Sequence, residues 1–244
     1  MERWPERLWI VRHGQSAGNV AADAAYAAGL SRINLDMRDV DVELSDLGKQ
    51  QAAALGKWFA ALPDDAGPEI ILSSPFVRAR QTAHAVADAI AAVDHHSADE
   101  RLREREFGIL DRLTRAGVIE LHPDQAAALT MLGKFYHRPP GGEAWTDVIL
   151  RLRAMMDTMM LQFAGRRVLI VAHQVVVLCL RYVLETMDEH EVLAVDALGD
   201  VANCSITEYS FGDGPTLVRY NETAPLEEAA APVTSAPDKA VAAG

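Results

Sequence analysis

The stretch LWIVRHGQSAGNV, residues 8–20, changes character within a few positions. The apolar run at 8–11 is typical of a buried strand, and the small residues after Gly14 favour a helix. Between them lie Arg12 and His13. These two side chains are either solvated groups at an ordinary strand end or part of an anion site. Taken alone, the stretch leaves both interpretations open.

Two further segments repeat the order of apolar strand, polar end and helix. One is EIILSS (69–74), followed by a helix for which Ser74 is the predicted N-cap and Pro75 the first residue. The other is RVLIVA (167–172), followed by the helix VVVLCLRYVLE. We also predict helices at 45–62, capped by Ser45, and at 143–163, with a closing hairpin at 205–220.

Apolar strands separated by helices indicate a mainly parallel sheet covered on both faces. We therefore predict a three-layer α/β/α sandwich. In such sheets, ligands bind outside the carboxyl ends of the strands. Those ends carry Arg12 and His13, then Ser74 with Arg78 close behind it, then His173. Their convergence favours the anion site over the ordinary strand end.

The composition narrows the class of protein. The chain has 244 residues, of which half are hydrophobic, and a formal net charge of −12. We predict one domain at 1–221 and a disordered, Ala- and Pro-rich tail at 222–244. The acidic balance argues against a nucleic-acid partner.

Neither the N-terminal run nor residues 168–184 has the length and uniform apolarity of a membrane segment, so we expect no membrane partner. The two cysteines, Cys179 and Cys204, are too few for a disulfide framework. We expect a cytoplasmic protein, and we keep a homodimer open.

The predicted crevice suits a phosphomonoester dianion. An arginine fork matches phosphate oxygens, helix N-termini supply N–H groups, and Gly14 would let the backbone approach the anion. A neutral imidazole could attack phosphorus. The chain has no P-loop, GxGxxG, CxxC or GxSxG motif, and DHHS (94–97) is interpreted as a solvated loop. We therefore predict no metal and no cofactor.

An ordered series of motifs resembles the histidine phosphatase superfamily, the group that includes cofactor-dependent phosphoglycerate mutase and many phosphatases. The series runs over about residues 7–180 and comprises VRHGQSAGN (11–19), LSDLGKQQA (44–52), SSPFVRARQTA (73–83), LREREFGILD (102–111), PPGGEAW (139–145) and VLIVAHQVVV (168–177). The resemblance implies a phosphoglycerate mutase-like fold.

The resemblance also implies roles for single residues. His13 would be the nucleophile that forms a phosphohistidine. Arg12, Arg78 and His173 would bind the transferring phosphoryl group, and we place His173 with the catalytic residues. Asn19 would add a polar contact to that group.

The proton donor and the departures from the family pattern concern other positions. Glu104 aligns with the acid that protonates the leaving oxygen, and Glu106 is the alternative, since a strand-like pattern would place both on one face. Gln174 stands where the family commonly has glycine, so it would bind the phosphoryl group or narrow the pocket. Asp111 and Arg112 replace a commoner acid–glycine pair.

The long segment 112–142 is either a helical excursion or a lid that sets substrate identity. Its basic and aromatic side chains at 134–138 would then face the substrate: Lys134, Tyr136, His137 and Arg138. The leading interpretation is a phosphatase of a small phosphorylated metabolite. The alternatives are a cofactor-dependent mutase and a non-catalytic phospho-ligand sensor on the same fold.

Overall fold

The central sheet is ordered around two parallel strands that carry the longest buried runs. In the computed structural model, which describes residues 4–63, 65–90 and 93–235, these strands are β1 (Arg7–Arg12) and β4 (Arg167–Ala172). They pair in register from Arg7↔Arg167 to Arg12↔Ala172. Both strands therefore end at the same level of the same edge.

Four more strands complete the sheet within the described residues. They are β2 (Ile70–Ser73), β3 (His95–Ala98), β5 (Ile206–Phe211) and β6 (Pro215–Glu222), and the strand order is β3-β2-β4-β1-β5-β6. The first four strands of that order are mutually parallel, and β5 and β6 are antiparallel additions. The predicted, mainly parallel sheet is confirmed, as is the closing hairpin.

Helices cover both faces of the sheet. Their bounds are α1 (Ala17–Ala27), α2 (Asp46–Ala60), α3 (Val77–Ala89), α4 (Arg115–Leu121), α5 (Pro123–Tyr136), α6 (Trp145–Gln162), α7 (Gln174–Leu184), α8 (Glu189–Ala197) and α9 (Ala224–Glu228). None of these helices is long and apolar enough to span a membrane.

Alternation along β1 decides which side chains meet which helices. Leu8 and Ile10 lie in a buried cluster with residues of α6 and α7, whereas Trp9 and Val11 lie in a second cluster with residues of α2 and α3. The predicted three-layer sandwich is thus confirmed, with two cores of which each fills one side of the sheet.

The predicted start of α3 is wrong. The helix begins at Val77 with Phe76 as its N-cap residue, and no side chain caps it. Ser74 lies too early to cap this helix; instead, its hydroxyl lies 2.8 Å from Nε2 of His173, across the strand ends. Ser45 does cap α2, by accepting a hydrogen bond from the Gly48 N–H, as expected.

The segment DHHS, interpreted as a loop, contributes to an edge strand instead. The segment lacks the apolar residues by which strands are recognised in a sequence. Nevertheless, β3 pairs with β2 from Ile70↔His95 to Ser73↔Ala98. An edge strand is half exposed and therefore tolerates histidine and serine.

The prediction of a disordered tail at 222–244 is wrong for the part that the structure describes. Residues 222–235 include the end of β6 and the helix α9, and Leu226 is fully buried in the cluster formed by α2 and α3. Thr234 donates its hydroxyl proton to Asn203, and the Gln51 amide donates to the Pro232 carbonyl. One buried leucine and this polar network anchor a segment whose composition resembles a linker. Residues 236–244 lie outside the described residues.

Candidate active site

Three strand ends bring four cationic or imidazole side chains together. Arg12 ends β1 and His13 follows it, Arg78 lies in the first turn of α3 behind β2, and His173 follows β4. Each is at most 4% exposed, and the rings of His13 and His173 are 5.1 Å apart. We call these four residues the pocket floor. The convergence predicted from the strand ends is present.

The ring of His13 is held in one tautomer by two contacts. Its Nδ1 lies 2.7 Å from the Gly14 carbonyl oxygen, which can only accept, so Nδ1 carries the proton. Its Nε2 accepts a hydrogen bond from Nε of Arg78 at 3.2 Å. Both contacts leave the lone pair on Nε2, which faces the guanidinium of the pocket floor. A nucleophilic imidazole requires this arrangement.

His173 lies completely buried between a hydroxyl and a carboxylate. Its Nε2 is 2.8 Å from the Ser74 hydroxyl, and its Nδ1 is 3.5 Å from Oε2 of Glu104. Burial, followed by the positive charge of Arg78, holds the pKa of His173 well below its ordinary value. His173 is therefore neutral at neutral pH until an anion enters.

Gln174 orients an arginine. Its amide oxygen accepts from Nη1 of Arg12 at 3.1 Å, and its amide nitrogen donates to Asp200 at 2.8 Å. Arg12 also donates to the Val201 carbonyl. Gln174 lines the pocket, as expected, but its polar ends are engaged with protein groups rather than left for the predicted contact with a phosphoryl group.

Gly14 does not line the pocket, and its backbone groups bond within the protein, so its role toward an anion stays a prediction. Its N–H donates to the Thr82 hydroxyl at 3.1 Å, and a Cβ at this position would lie 2.6 Å from the Gly48 carbonyl oxygen. The backbone of α2 passes too close for any side chain. Glycine is required here by packing, and its carbonyl serves the site by accepting from His13.

Asn19 is placed at the pocket through its helix cap. Its Oδ1 accepts from the N–H and the hydroxyl of Ser16, at 2.9 and 3.0 Å. The amide nitrogen is consequently the group of Asn19 suited to donate toward an anion.

The mouth of the pocket is formed by loop residues that we call the pocket rim: Asp39, Glu104, Asp111 and Arg112. The lining combines this rim with three of the four floor residues and an apolar wall, while His173 lies fully buried behind it. It consists of Arg12, His13, Ser16, Asn19, Ile33, Leu35, Asp39, Arg78, Glu104, Phe107, Leu110, Asp111, Arg112 and Gln174.

The structure separates the two candidate proton donors. Residues 104–107 are irregular rather than a strand, so the alternation that would place both carboxylates on one face does not apply. Glu104 lines the pocket beside His173, whereas Glu106 is exposed and accepts a hydrogen bond from the Gly108 N–H at 3.3 Å. The geometry favours Glu104.

Glu143, in the PPGGEAW motif, supports the loop at the mouth of the pocket. Its carboxylate accepts from Arg103 at 2.7 Å, from Arg151 at 3.0 Å and from the Glu106 N–H at 3.0 Å. It thus holds the loop that carries Glu104. The GGE stretch at 141–143 was the available signal.

Asp39 is the functional-site residue that sequence reasoning missed. It lies in a short 3₁₀ helix, Asp39–Asp41, and its carboxylate oxygens accept from Nη1 and Nη2 of Arg78 at 3.0 and 3.1 Å. Burial, followed by the charge of Asp39, raises the pKa of Asp111. The pocket rim is therefore acidic and coupled to the floor.

The predicted lid residues have other partners. Lys134 pairs with Asp196 at 2.6 Å, Arg138 pairs with Asp147, and His137 is buried. None of the predicted group at 134–138 lines the pocket; Arg112 is the residue of 112–142 that does. The expectation that Lys134 and Arg138 face the substrate is contradicted, because each forms an ion pair elsewhere in the fold.

The family is decided by a match over most of the chain. Residues 8–223 fit the model of the histidine phosphatase superfamily, branch 1. The chain belongs to the histidine phosphatase superfamily. Within the described residues, no cluster of three or more His, Cys, Asp or Glu side chains could hold a metal ion.

Individual relatives agree with this placement. A bifunctional protein of Mycobacterium tuberculosis is 30% identical over 90% of this chain, and the chain spans about half (54%) of that relative's length. A probable phosphoglycerate mutase GpmB of Yersinia pestis is 27% identical over 86% of this chain and 87% of its own.

Solved structures share the fold. A mycobacterial glucosyl-3-phosphoglycerate phosphatase in complex with VO₃ has a TM-score of 0.68 and 29% identity, covering 89% of this chain and 100% of its own. A putative alpha-ribazole-5'-P phosphatase from Escherichia coli has a TM-score of 0.72 at 19% identity, covering 90% and 97%. The second likeness concerns the fold alone.

Proposed function

We propose that this protein is a phosphomonoesterase that hydrolyses a small phosphorylated metabolite through a phosphohistidine at His13. The observation that carries the proposal is the tautomer of His13. Its Nε2 lone pair is fixed by the Gly14 carbonyl behind it and faces the guanidinium of Arg78. A ring held in this way attacks phosphorus without first losing a proton.

In the first step, Nε2 of His13 forms a bond to phosphorus while the ester P–O bond breaks, and the electron pair leaves on the alcohol oxygen. Glu104, protonated, gives its proton to that oxygen and becomes a carboxylate. The side chain lies within 3.5 Å of His173, at the rim directly beside the floor. The products of this step are the free alcohol and phospho-His13.

In the second step, the Glu104 carboxylate takes a proton from a water molecule, whose oxygen attacks the phosphorus of phospho-His13. The P–N bond breaks, its electron pair returns to Nε2, and inorganic phosphate leaves. Glu104 and His13 are then in their starting states. Each proton that Glu104 donates in the first step is recovered in the second.

The charge of the transferring group is met by the protein itself. Arg12 and Arg78 place two guanidinium groups on the pocket floor, where burial strengthens their attraction for an anion. We therefore propose that the reaction needs no metal and no cofactor. Cys179 and Cys204 are buried thiols rather than halves of a disulfide, which supports a reducing compartment, and we propose that this is the cytoplasm.

The acidic rim favours hydrolysis over mutase chemistry. A phosphoglycerate carries a carboxylate besides its phosphate, and its bisphosphorylated form carries still more charge. Asp39 and Asp111 at the rim would repel such a group, and Arg112 is engaged by the Leu35 carbonyl and by Asp111. The similarity to a probable phosphoglycerate mutase keeps that activity as the second candidate.

Purified protein is incubated with p-nitrophenyl phosphate and, separately, with 3-phosphoglycerate and its bisphosphorylated cofactor, with and without a chelator. We expect phosphate release that persists in chelator and is absent in His13→Ala. Cofactor-dependent isomerisation would favour the mutase. Tight ester binding without turnover would favour the sensor and contradict the proposal.

A further inference from the structure

Asp39 occupies the arginine that the proposed reaction reserves for the phosphoryl group. Its Oδ1 and Oδ2 accept from Nη1 and Nη2 of Arg78 at 3.0 and 3.1 Å, and its carbonyl oxygen accepts from Nη1 at 2.7 Å. Paired parallel hydrogen bonds from a guanidinium to two oxygens are also the geometry of arginine–phosphate recognition. We infer that Asp39 is an internal anion that competes with the phosphoryl group for Arg78.

This inference rests on the proposed function. It follows from the number of Arg78 N–H groups that are already hydrogen-bonded within the protein. The N–H on Nε donates to Nε2 of His13, so four of the five N–H groups of the guanidinium are engaged by Asp39 and His13 and one, on Nη2, is left over. The fork and the nucleophile are thus both satisfied by protein groups. A phosphoryl group that bonds to Nε2 displaces the Arg78 hydrogen bond, and one that uses the fork displaces the Asp39 carboxylate.

The position of Asp39 allows that displacement. The Arg78 side chain is 5% exposed and lies in the long helix α3, whereas the Asp39 side chain is 31% exposed and belongs to a three-residue 3₁₀ helix. Asp39 lies between the main pocket and an outer pocket that is lined in addition by Arg103 and Arg112. Its carboxylate can therefore rotate away from the fork toward other positive charges.

The competition serves turnover as well as binding. A phosphate dianion carries more charge than a carboxylate, so it takes the fork when it arrives at sufficient concentration. After hydrolysis, the carboxylate returns to Arg78 and hastens the release of inorganic phosphate. Asp39 thus lowers the affinity for every anion and shortens the residence of the product.

The test is titration of the intact protein with inorganic phosphate by isothermal calorimetry, which requires no turnover. We expect Asp39→Asn and Asp39→Ala to bind phosphate at least about tenfold more tightly than wild type, the factor that corresponds to about 1.4 kcal/mol of a charged hydrogen bond. In an Arg78→Ala background, the gain from Asp39→Asn should shrink to the size of the gain from Asp111→Asn, which is general repulsion alone.

The matched control is Asp111→Asn. It removes one carboxylate from the same pocket, but Asp111 pairs with Arg112 rather than with Arg78. If Asp111→Asn raised phosphate affinity by a similar factor, general repulsion between the pocket carboxylates and phosphate would explain the effect of Asp39. That result would overturn the inference. Weaker phosphate binding in both Asp39 variants would overturn it too, because Asp39 would then only position Arg78.

The inference and the proposed function fail in different ways. If wild type hydrolyses no phosphate ester, the function fails, while the phosphate titration still measures the competition. If hydrolysis through His13 is found but neither Asp39 variant binds phosphate more tightly, the competition alone is wrong.

Discussion

The pocket floor and the pocket rim are built by different parts of the fold. Arg12, His13, Arg78 and His173 lie at or shortly after the carboxyl ends of strands and are at most 4% exposed. The rim residues come from loops, and their side chains range from 13% exposed for Glu104 to 39% for Asp111. Backbone carbonyls and neighbouring helices fix the floor, whereas the rim is held mainly by ion pairs among side chains.

This difference indicates that the proposed reaction depends on the floor, whereas selectivity among anions depends on the rim. A sheet edge places the proposed nucleophile and two guanidinium groups reproducibly, because hydrogen bonds such as His13 N–H to the Ala172 carbonyl set their positions. A rim of exposed carboxylates can change its charge without disturbing that edge. We therefore expect floor variants to lose the reaction and rim variants to change which anion binds and how fast it leaves.

The largest effect is expected from His13→Ala. Removal of the nucleophile should lower kcat for p-nitrophenyl phosphate by about 10⁴-fold or more. Steady-state release of nitrophenol measures it. His84→Ala is the matched control, since His84 lies exposed on α3 and contacts His96 rather than the floor. Retention of wild-type turnover by His13→Ala would break the distinction between floor and rim.

Glu104→Gln comes next and tests the one rim residue for which we propose a catalytic role. With an alkyl phosphate, whose alkoxide needs a proton, kcat should fall by about 10²- to 10⁴-fold. With p-nitrophenyl phosphate, formation of the intermediate should be much less affected, because nitrophenolate leaves without a proton. Glu106→Gln, in which the exposed neighbour is altered, should behave as wild type. An equal loss on both esters in single-turnover kinetics would argue against proton donation.

Leu226→Ala tests the support behind the floor. Asn203 donates to the His13 carbonyl at 2.9 Å and is itself held by Thr234, in the segment that Leu226 anchors. Loss of this buried side chain should lower the free energy of unfolding by about 2–5 kcal/mol, as measured in urea. Val233→Ala, at an exposed position of the same segment, should change it little. Equal stabilities would mean that this segment does not support the core.

The smallest effect is a pH dependence from His173. Its pKa is lower in the folded protein than the ordinary value of about 6.5 that it has when unfolded. As the pH falls below about 6.5, His173 takes up a proton in the unfolded chain but not in the folded chain. The free energy of unfolding therefore decreases by about 1.4 kcal/mol for each pH unit, down to the pKa of His173 in the folded protein.

The measurement is the difference in unfolding free energy between wild type and His173→Gln, between pH 7.5 and 5. As the pH falls, the unfolding free energy of wild type should decrease relative to that of His173→Gln. The contributions of histidines that both proteins contain cancel in this difference. A difference that does not vary with pH would show that the floor does not hold His173 neutral.

The floor was predictable because a continuous apolar run followed by polar residues marks the end of a buried strand. The apolar runs at 8–11 and 167–172 predicted strands of one mainly parallel sheet, which placed Arg12, His13 and His173 at the same edge. That the two strands are neighbours is seen only in the structure. The tautomer of His13 was not predictable, since it depends on the distance between its ring and the Gly14 carbonyl. The role of Gly14 was predicted from its place beside His13 alone. Its close contact with Gly48 of α2 depends on tertiary packing, which the local sequence does not show.

The rim and the C-terminal segment escaped prediction for a common reason. Asp39 lies 39 positions before Arg78, and nothing in the local pattern of either predicts their ion pair. Likewise, residues 222–235 have the composition of a linker, and only the tertiary contact of Leu226 orders them. Side chains that act through long-range contacts leave no periodic signal.

The account is tested most directly by trapping the covalent intermediate. Glu104→Gln is mixed with p-nitrophenyl phosphate, quenched in alkali within milliseconds to seconds, and analysed by mass spectrometry of its peptides. A burst of nitrophenol with one phosphoryl group on His13, absent in the double variant with His13→Ala, is the predicted result. Turnover with the phosphoryl group on another residue, or undiminished turnover in the double variant, would contradict the assignment of His13 as the nucleophile.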